Sequence, residues 1–147
     1  MKYLGGPRSA ANTEEHCRGA NESLAVMGYG RVAVERRSDG MFLGMCGLDR
    51  EIWYPDDLEI GWRLVPEARG QGYATEAARA WIDHGFDVLD LPRIISIADV
   101  PNLKSIAVME RLGFTHNHAA TLMDGDEPFE AVIYAVTRAA WDAGRNR

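Results

Sequence analysis

Residues 58 to 100 restrict the fold more than any other stretch of the chain. Leu58 to Val65 is an apolar run closed by Pro66, Pro66 to Gly72 is turn-rich, and a long periodic segment follows from Tyr73 to Leu89. Arg93 to Val100 is apolar again, with Ile94, Ile95 and Ile97 at its centre. In the periodic segment Ala74, Ala77, Ala78, Trp81, Ile82, Phe86 and Leu89 recur at the spacing of one buried helix face. Strand, helix and strand in that order form a crossover unit. Two parallel strands lie side by side, with the helix packed across them in the right-handed sense. A chain containing this unit is neither all-β nor all-helical, and its fold class is mixed α/β.

The flanking segments fill out that class. Asn12 to Glu15 resembles a capping box, opening a helix from about Thr13 to Met27 that stops near Gly28 and Gly30. Arg31 to Arg37 alternates like a strand, Ser38-Asp39-Gly40 signals a hairpin, and Met41 to Leu48 forms the returning strand. A polar and aromatic loop, Arg50 to Asp57, leads into the crossover unit. After it, Asn102 caps a short helix that ends at Gly113. Phe114 to Met123 and Glu130 to Thr137 read as antiparallel strands around the acidic loop Asp124 to Pro128, and Ala139 to Gly144 as about one helical turn. No repeat or linker divides the 147 residues, so residues 1–147 are expected to form one domain.

Composition excludes several classes. Sixteen Lys and Arg against 22 Asp and Glu leave a formal charge of −6, with no basic stripe to neutralise phosphates, so nucleic acid is not expected as a partner. The charge fits a cationic substrate or a role in solubility alone. No membrane span is expected, since no run approaches about 18 apolar residues. The opening residues lack the charged-then-apolar pattern of a leader. Cys17 and Cys46 make no disulfide framework and read as buried thiols in a reducing cytoplasm. No Cys/His cluster has zinc-ligand spacing, so no metal is expected.

The turn Arg69-Gly70-Gln71-Gly72-Tyr73-Ala74 sits between a strand and a helix start. The first helical N–H groups have no intrahelical partner and the helix dipole adds positive charge, while Gly70 and Gly72 let backbone approach an anion closely. Such a turn suits a pyrophosphate, though by itself it also reads as a tight strand-to-helix connection. A dinucleotide fingerprint is not met, because Thr75 stands where a third glycine belongs and the next strand ends in Val100-Pro101. No Gly-Lys-Ser or Gly-Lys-Thr of a phosphate-loop NTPase occurs.

Glu59 to Ala77 (Glu-Ile-Gly-Trp-Arg-Leu-Val-Pro-Glu-Ala-Arg-Gly-Gln-Gly-Tyr-Ala-Thr-Glu-Ala) resembles the strand, bulge and pyrophosphate loop of the GCN5-related N-acetyltransferases, the GNAT family. Arg69, Gly72 and Ala74 occupy its signature positions. Asn102 to Phe114 resembles the family's helix beside the pantetheine arm, and the wording is closest to the branch named for acetylating ribosomal-protein N-termini. The resemblance covers roughly residues 3 to 141 and implies a GNAT-like fold, a central twisted mixed sheet with flanking helices. On this resemblance, the family's usual opening strand and helix, which precede the segment that Tyr3 to Gly6 resembles, are expected to be absent.

The resemblance further implies direct transfer of acetyl from acetyl-CoA, as co-substrate, to a primary amine: a protein or peptide N-terminus or a small molecule. Backbone at Leu64 and Val65 would pair with the pantetheine arm, and an N–H near Val65 would polarise the thioester carbonyl. Arg69, Gly70, Gln71, Gly72, Tyr73, Ala74 and Thr75 would bind the pyrophosphate. Glu59 is the expected base, acting through water on the ammonium, with Glu35 behind it; otherwise Glu59 is a structural partner of Arg63 or another cation. Met109 stands where many members have a proton-donating Tyr, which leaves Ser105 as donor to the thiolate or as a second cap, and Asn102 as cap or pantetheine ligand. His84 is expected on the solvent side of its helix, and His116 and His118 on one strand face. Trp53-Tyr54 and Asp56-Asp57 would wall and charge an amine site, or form an ordinary loop anchored by Trp53. A strand-deficient protomer favours a homodimer. The alternative reading is a non-catalytic acyl-CoA-binding or assembly module.

Overall fold

The structure, a computed structural model, describes residues 21–146. The capping box, the Tyr3–Gly6 segment and Cys17 lie outside the described residues.

Residues 21–27 are helical (α1) and end at Gly28. Strands β1 (Arg31–Glu35), β2 (Phe42–Arg50) and β3 (Leu58–Leu64) follow, then a 3-10 turn at Pro66–Ala68 and helix α2 (Tyr73–Asp87). Next come β4 (Arg93–Asp99), α3 (Leu103–Arg111), β5 (Thr115–Asp124), β6 (Glu127–Thr137) and α4 (Arg138–Arg145). The strands form one mixed sheet in the order β1-β2-β3-β4-β6-β5. Every neighbouring pair is antiparallel except β3 and β4, which are parallel and bracket α2 as the crossover unit requires.

Each sheet face buries its own core. On one face α2 places Ala78, Ile82 and Phe86 against Cys46, Leu48, Ile60 and Ile94, with Met109 of α3 and Trp141 of α4 closing the cluster. On the other face Ile95, Ile97, Ala131, Ile133 and Leu122 pack under Trp53 and Tyr54 of the loop before β3. Burial pushes the Cys46 thiol up to about 12, so it behaves as a small hydrophobe.

Four sequence expectations change. The chain after β6 forms an eight-residue helix rather than a single turn. Thr137 Oγ1 caps it, accepting from Ala140 N–H, and Arg145 reaches Asp83 and Asp87 at the end of α2. The acidic loop shrinks to a tight turn, since pairing runs to Asp124↔Glu127. His84 is half-buried and bonds the Gly28 carbonyl at 2.7 Å, fastening the end of α1 to α2. Lastly, His116 pairs with Tyr134 while His118 pairs with Ile133, so a bulge at Asn117 interrupts the alternation. Directly paired residues share a face, and Tyr134 and Ile133 point opposite ways. The two imidazoles therefore lie on opposite faces of the sheet.

Candidate active site

β3 and β4 touch at a single registered pair, Glu59↔Ile95, and separate beyond it. β3 pairs with β2 in unbroken register from Gly44↔Leu64 to Arg50↔Leu58, so the expected bulge is not in that ladder. Side chains replace the missing rungs between β3 and β4. Ile97 N–H donates to Glu59 Oε2 at 2.8 Å, and Ser96 Oγ donates to the Ile60 carbonyl at 3.1 Å.

The gap opens into a cleft of about 350 Å³ on the α2–α3 side. It brings together Leu64, Arg69, Gly70, Ala74, Asn102 and Ser105 of the expected site, with Trp62, Arg63 and Lys104. Val65 N–H is spent on the Leu43 carbonyl at 2.9 Å. Antiparallel alternation then turns the backbone groups of Leu64 and Trp62 away from β2, toward the gap. The Leu64 N–H therefore faces the gap, the Leu64 carbonyl accepts from Arg69 Nε at 3.4 Å, and the Val65 N–H is not free to polarise a carbonyl.

The turn has the geometry an anion needs. Gly70 and Gly72 have φ of +75° and +84°, and a Cβ at either would meet nothing within 4 Å. Gly72 is the N-cap of α2 and brings no side-chain cap, so the N–H groups of Tyr73, Ala74 and Thr75 face the turn without intrahelical partners. Gln71 Nε2 braces the turn on the Glu67 carbonyl at 2.8 Å. Gly72 and Thr75 line a second hollow with Arg79 and Arg111, and Arg111 reaches Thr75 Oγ1 at 3.5 Å. Asn102 caps α3 by accepting from Ser105 N–H at 3.2 Å, and Met109 is sealed in the core. The fit to a pantetheine chain and a pyrophosphate is thus read from an opened ladder ending in an uncrowded, left-handed glycine turn.

Glu59 lies on the opposite face, 6% exposed. Its cationic partner is Arg31 of β1 rather than Arg63, and Arg31 also holds Glu51 at 2.8 Å. Arg31 reaches Glu59 by lying across Gly61, where a Cβ would sit 2.7 Å from Arg31 Nε. Burial pushes the Glu59 carboxyl up to about 7, against the pull of Arg31 and of Ile97 N–H. Glu35 is exposed at the end of β1 and does not line the cleft.

On the same face as Glu59, Tyr54 OH bonds His118 Nε2 at 2.7 Å, and His118 Nδ1 bonds Asn117 Oδ1 at 2.6 Å. Asn117 Oδ1 only accepts, so Nδ1 carries the proton and Nε2 of the neutral ring accepts from Tyr54. Trp53 Nε1 donates to the Met123 carbonyl at 2.9 Å, and its ring meets Phe129 edge-on. The aromatic loop is thereby clamped to the β5–β6 hairpin. Arg31 and Ser96 were not singled out as site residues from sequence; Tyr54 was expected to wall an amine site and His118 to share a strand face with His116, but their pairing with each other was not expected. Ser96, a polar residue inside Ile-Ile-Ser-Ile, left a local signal.

This mixed sheet, parted between two parallel strands with a helix N-terminus at the mouth of the gap, belongs to a fold that superposes on solved acetyltransferases. The acetyltransferase (GNAT) domain model matches residues 1–115, and the chain belongs to the GNAT acetyltransferase family. YkkB of Bacillus subtilis (strain 168) is 30% identical over 129 residues, covering 87% of this chain and 74% of YkkB. The spermidine N(1)-acetyltransferase of Escherichia coli (strain K12) is 44% identical over 52 residues, covering 35% of this chain and 28% of that enzyme. An acetyltransferase from Agrobacterium tumefaciens str. C58 superposes with a TM-score of 0.73 at 30% identity, covering 92% of this chain and 76% of that one. The chain spans about half the length of the N-acetyltransferase YnaD of Bacillus subtilis (strain 168), and 38% of the Aspergillus fumigatus FsC-acetyl coenzyme A-N(2)-transacetylase. Acetyl-CoA-dependent N-acetyl transfer is the activity of this family. No helix among the described residues is long and apolar enough to cross a membrane.

Proposed function

We propose that this chain acetylates a primary amine in a ternary complex with acetyl-CoA. The observation that carries the reading is the single-rung contact between β3 and β4 opening onto the Gly70–Gly72 turn. Leu64 backbone pairs with the pantetheine arm, the N–H groups of Gly70 to Thr75 hold the pyrophosphate, and Arg69 and Gln71 brace the turn. Asn102 and Ser105 flank the arm from α3. Acetyl-CoA supplies an activated carbonyl in the gap, within reach of both sheet faces.

The amine approaches from the face that carries Glu59. An alkyl ammonium has a pKa near 10, so it must lose a proton before attack. Glu59 accepts that proton through water. The new C–N bond forms as the C–S bond breaks, and the second proton lost by the attacking nitrogen passes through the Ser105 hydroxyl to the departing thiolate, which leaves as CoA thiol. A base with a pKa near 7 is well matched to this work. Ser105→Ala is expected to lower turnover while leaving acetyl-CoA affinity unchanged. An equal loss of affinity would assign Ser105 to binding instead.

Calorimetric titration with acetyl-CoA, with NAD as control, tests the site directly. Saturable one-to-one binding to acetyl-CoA alone supports the reading, and failure to bind overturns it. Free CoA release with a panel of peptides, spermidine and other amines then identifies the acceptor class. Spermidine belongs in the panel because a relative is named for it. Binding without CoA release from any amine would favour an acyl-CoA-binding module. The deeply buried Cys46 fits a cytoplasmic setting. A homodimer would cover the exposed edge of β5, and light scattering tests it.

A further inference from the structure

A parallel ladder is periodic. After the pair Glu59↔Ile95, the next rung would run from Ile97 N–H to the Ile60 carbonyl. Neither group is left bare, and they do not meet. Glu59 Oε2 takes the Ile97 N–H at 2.8 Å, and Ser96 Oγ–H satisfies the Ile60 carbonyl at 3.1 Å. Both side chains are buried, Glu59 at 6% exposed and Ser96 at 1%. They approach from opposite faces: Ser96 shares its face with Ile94 and Ala98, and Glu59 shares the other with Ile95. Two buried polar groups thus stand in for one backbone hydrogen bond, at the level where the strands part.

We propose that Glu59 and Ser96 form a wedge that holds β3 and β4 apart, and that Ser96 is a positioning residue for the acyl-pantetheine arm. This rests on the reading that the gap receives that arm. An unsatisfied N–H or carbonyl buried at this level would draw the strands together, because unpaired buried backbone groups are costly. With both satisfied by side chains, closing the ladder gains nothing, and the gap is ready before any ligand arrives. Arg31 belongs to the device. It holds Glu59 Oε1, leaving Oε2 aimed at Ile97. The wedge also explains a gap without a β3 bulge.

The test compares two ligands on the full chain: acetyl-CoA, and 3′-phosphoadenosine 5′-diphosphate, which has the pyrophosphate but no pantetheine arm. Ser96→Ala and Glu59→Ala are expected to weaken acetyl-CoA binding about tenfold, the scale of one lost buried hydrogen bond. Binding of the armless nucleotide should not change. Glu59→Gln should keep acetyl-CoA affinity, since its amide oxygen still accepts from Ile97 and Glu51 still holds Arg31. Should Glu59→Ala fail to fold, Ser96→Ala carries the test. Wild-type affinity for acetyl-CoA in Ser96→Ala, or equal loss of both ligands, overturns the wedge. If the wild-type chain binds neither ligand, the acetyl-CoA reading itself fails, an outcome distinct from failure of the wedge.

Discussion

One carboxylate, Glu59, combines a structural and a chemical assignment. Its burial raises the carboxyl to about 7 from an ordinary value near 4.5, so the native state binds a proton that the unfolded chain releases between those values. The stability this contributes is full below about pH 4.5 and lost as pH rises through about 7. Thermal midpoints should record that loss in the wild type and not in Glu59→Gln. The same substitution should slow acetyl transfer roughly 10²-fold and remove the part of the rate that rises with pH through about 7, because only the anion accepts a proton. Glu59 and Ser105 drew attention as candidates because each sits inside a segment with the family's spacing. Arg31 was not legible, since its partner lies 28 residues on and they meet only once β1, β2 and β3 are aligned. Ser96 announced itself as a hydroxyl among isoleucines, but the group it serves, the Ile60 carbonyl, belongs to another strand.

Among the elements, the crossover unit was legible almost residue for residue, because its helix and strands each bury a continuous apolar face. The turn inside it makes a sharp prediction. Gly72 has a φ of +84° with open space around it, so Gly72→Ala meets no clash and suffers only backbone strain. Stability should fall by about 1 kcal/mol in urea denaturation, and acetyl-CoA affinity should fall with it. α4 was the element least legible. Its sequence is short and carries Trp141 as its one large apolar side chain, and its order comes from a cap and from contacts made by Trp141 and Arg145 with Asp83. Thr137→Ala should cost about 1 kcal/mol through loss of that cap, with cofactor binding intact. The Asn117 bulge was illegible for a different reason. Alternation is the signal by which a strand is recognised, and one extra residue reverses every face assignment beyond it while leaving the composition unchanged.

For the molecule as a whole, the sheet works as two halves joined by a thin seam. β1, β2 and β3 form one antiparallel half; β4, β6 and β5 form the other. Besides the single backbone pair, Arg93 bonds Asp57 twice at 2.9 Å, and Trp53 and Tyr54 reach over to the β5–β6 hairpin. Such a seam suits the proposed site, in which a long chain enters from one side and an amine from the other. β1 shows what the Arg31 arm implies for folding. This edge strand has five residues and is tied to β2 by a hairpin in which Arg36 N–H donates to the Met41 carbonyl at 2.8 Å. A slip of one residue would turn Arg31 to the far side of the sheet and abandon Glu59 and Glu51 together. This side chain therefore acts as a ratchet pawl, adding its own penalty against sliding to the register that the β1–β2 hairpin sets. Hydrogen exchange should detect this directly: Arg31→Ala should speed exchange of the β1 and β2 amides while those of β4 and β6 stay protected. Equal protection in the variant would mean the strand keeps its place without the arm.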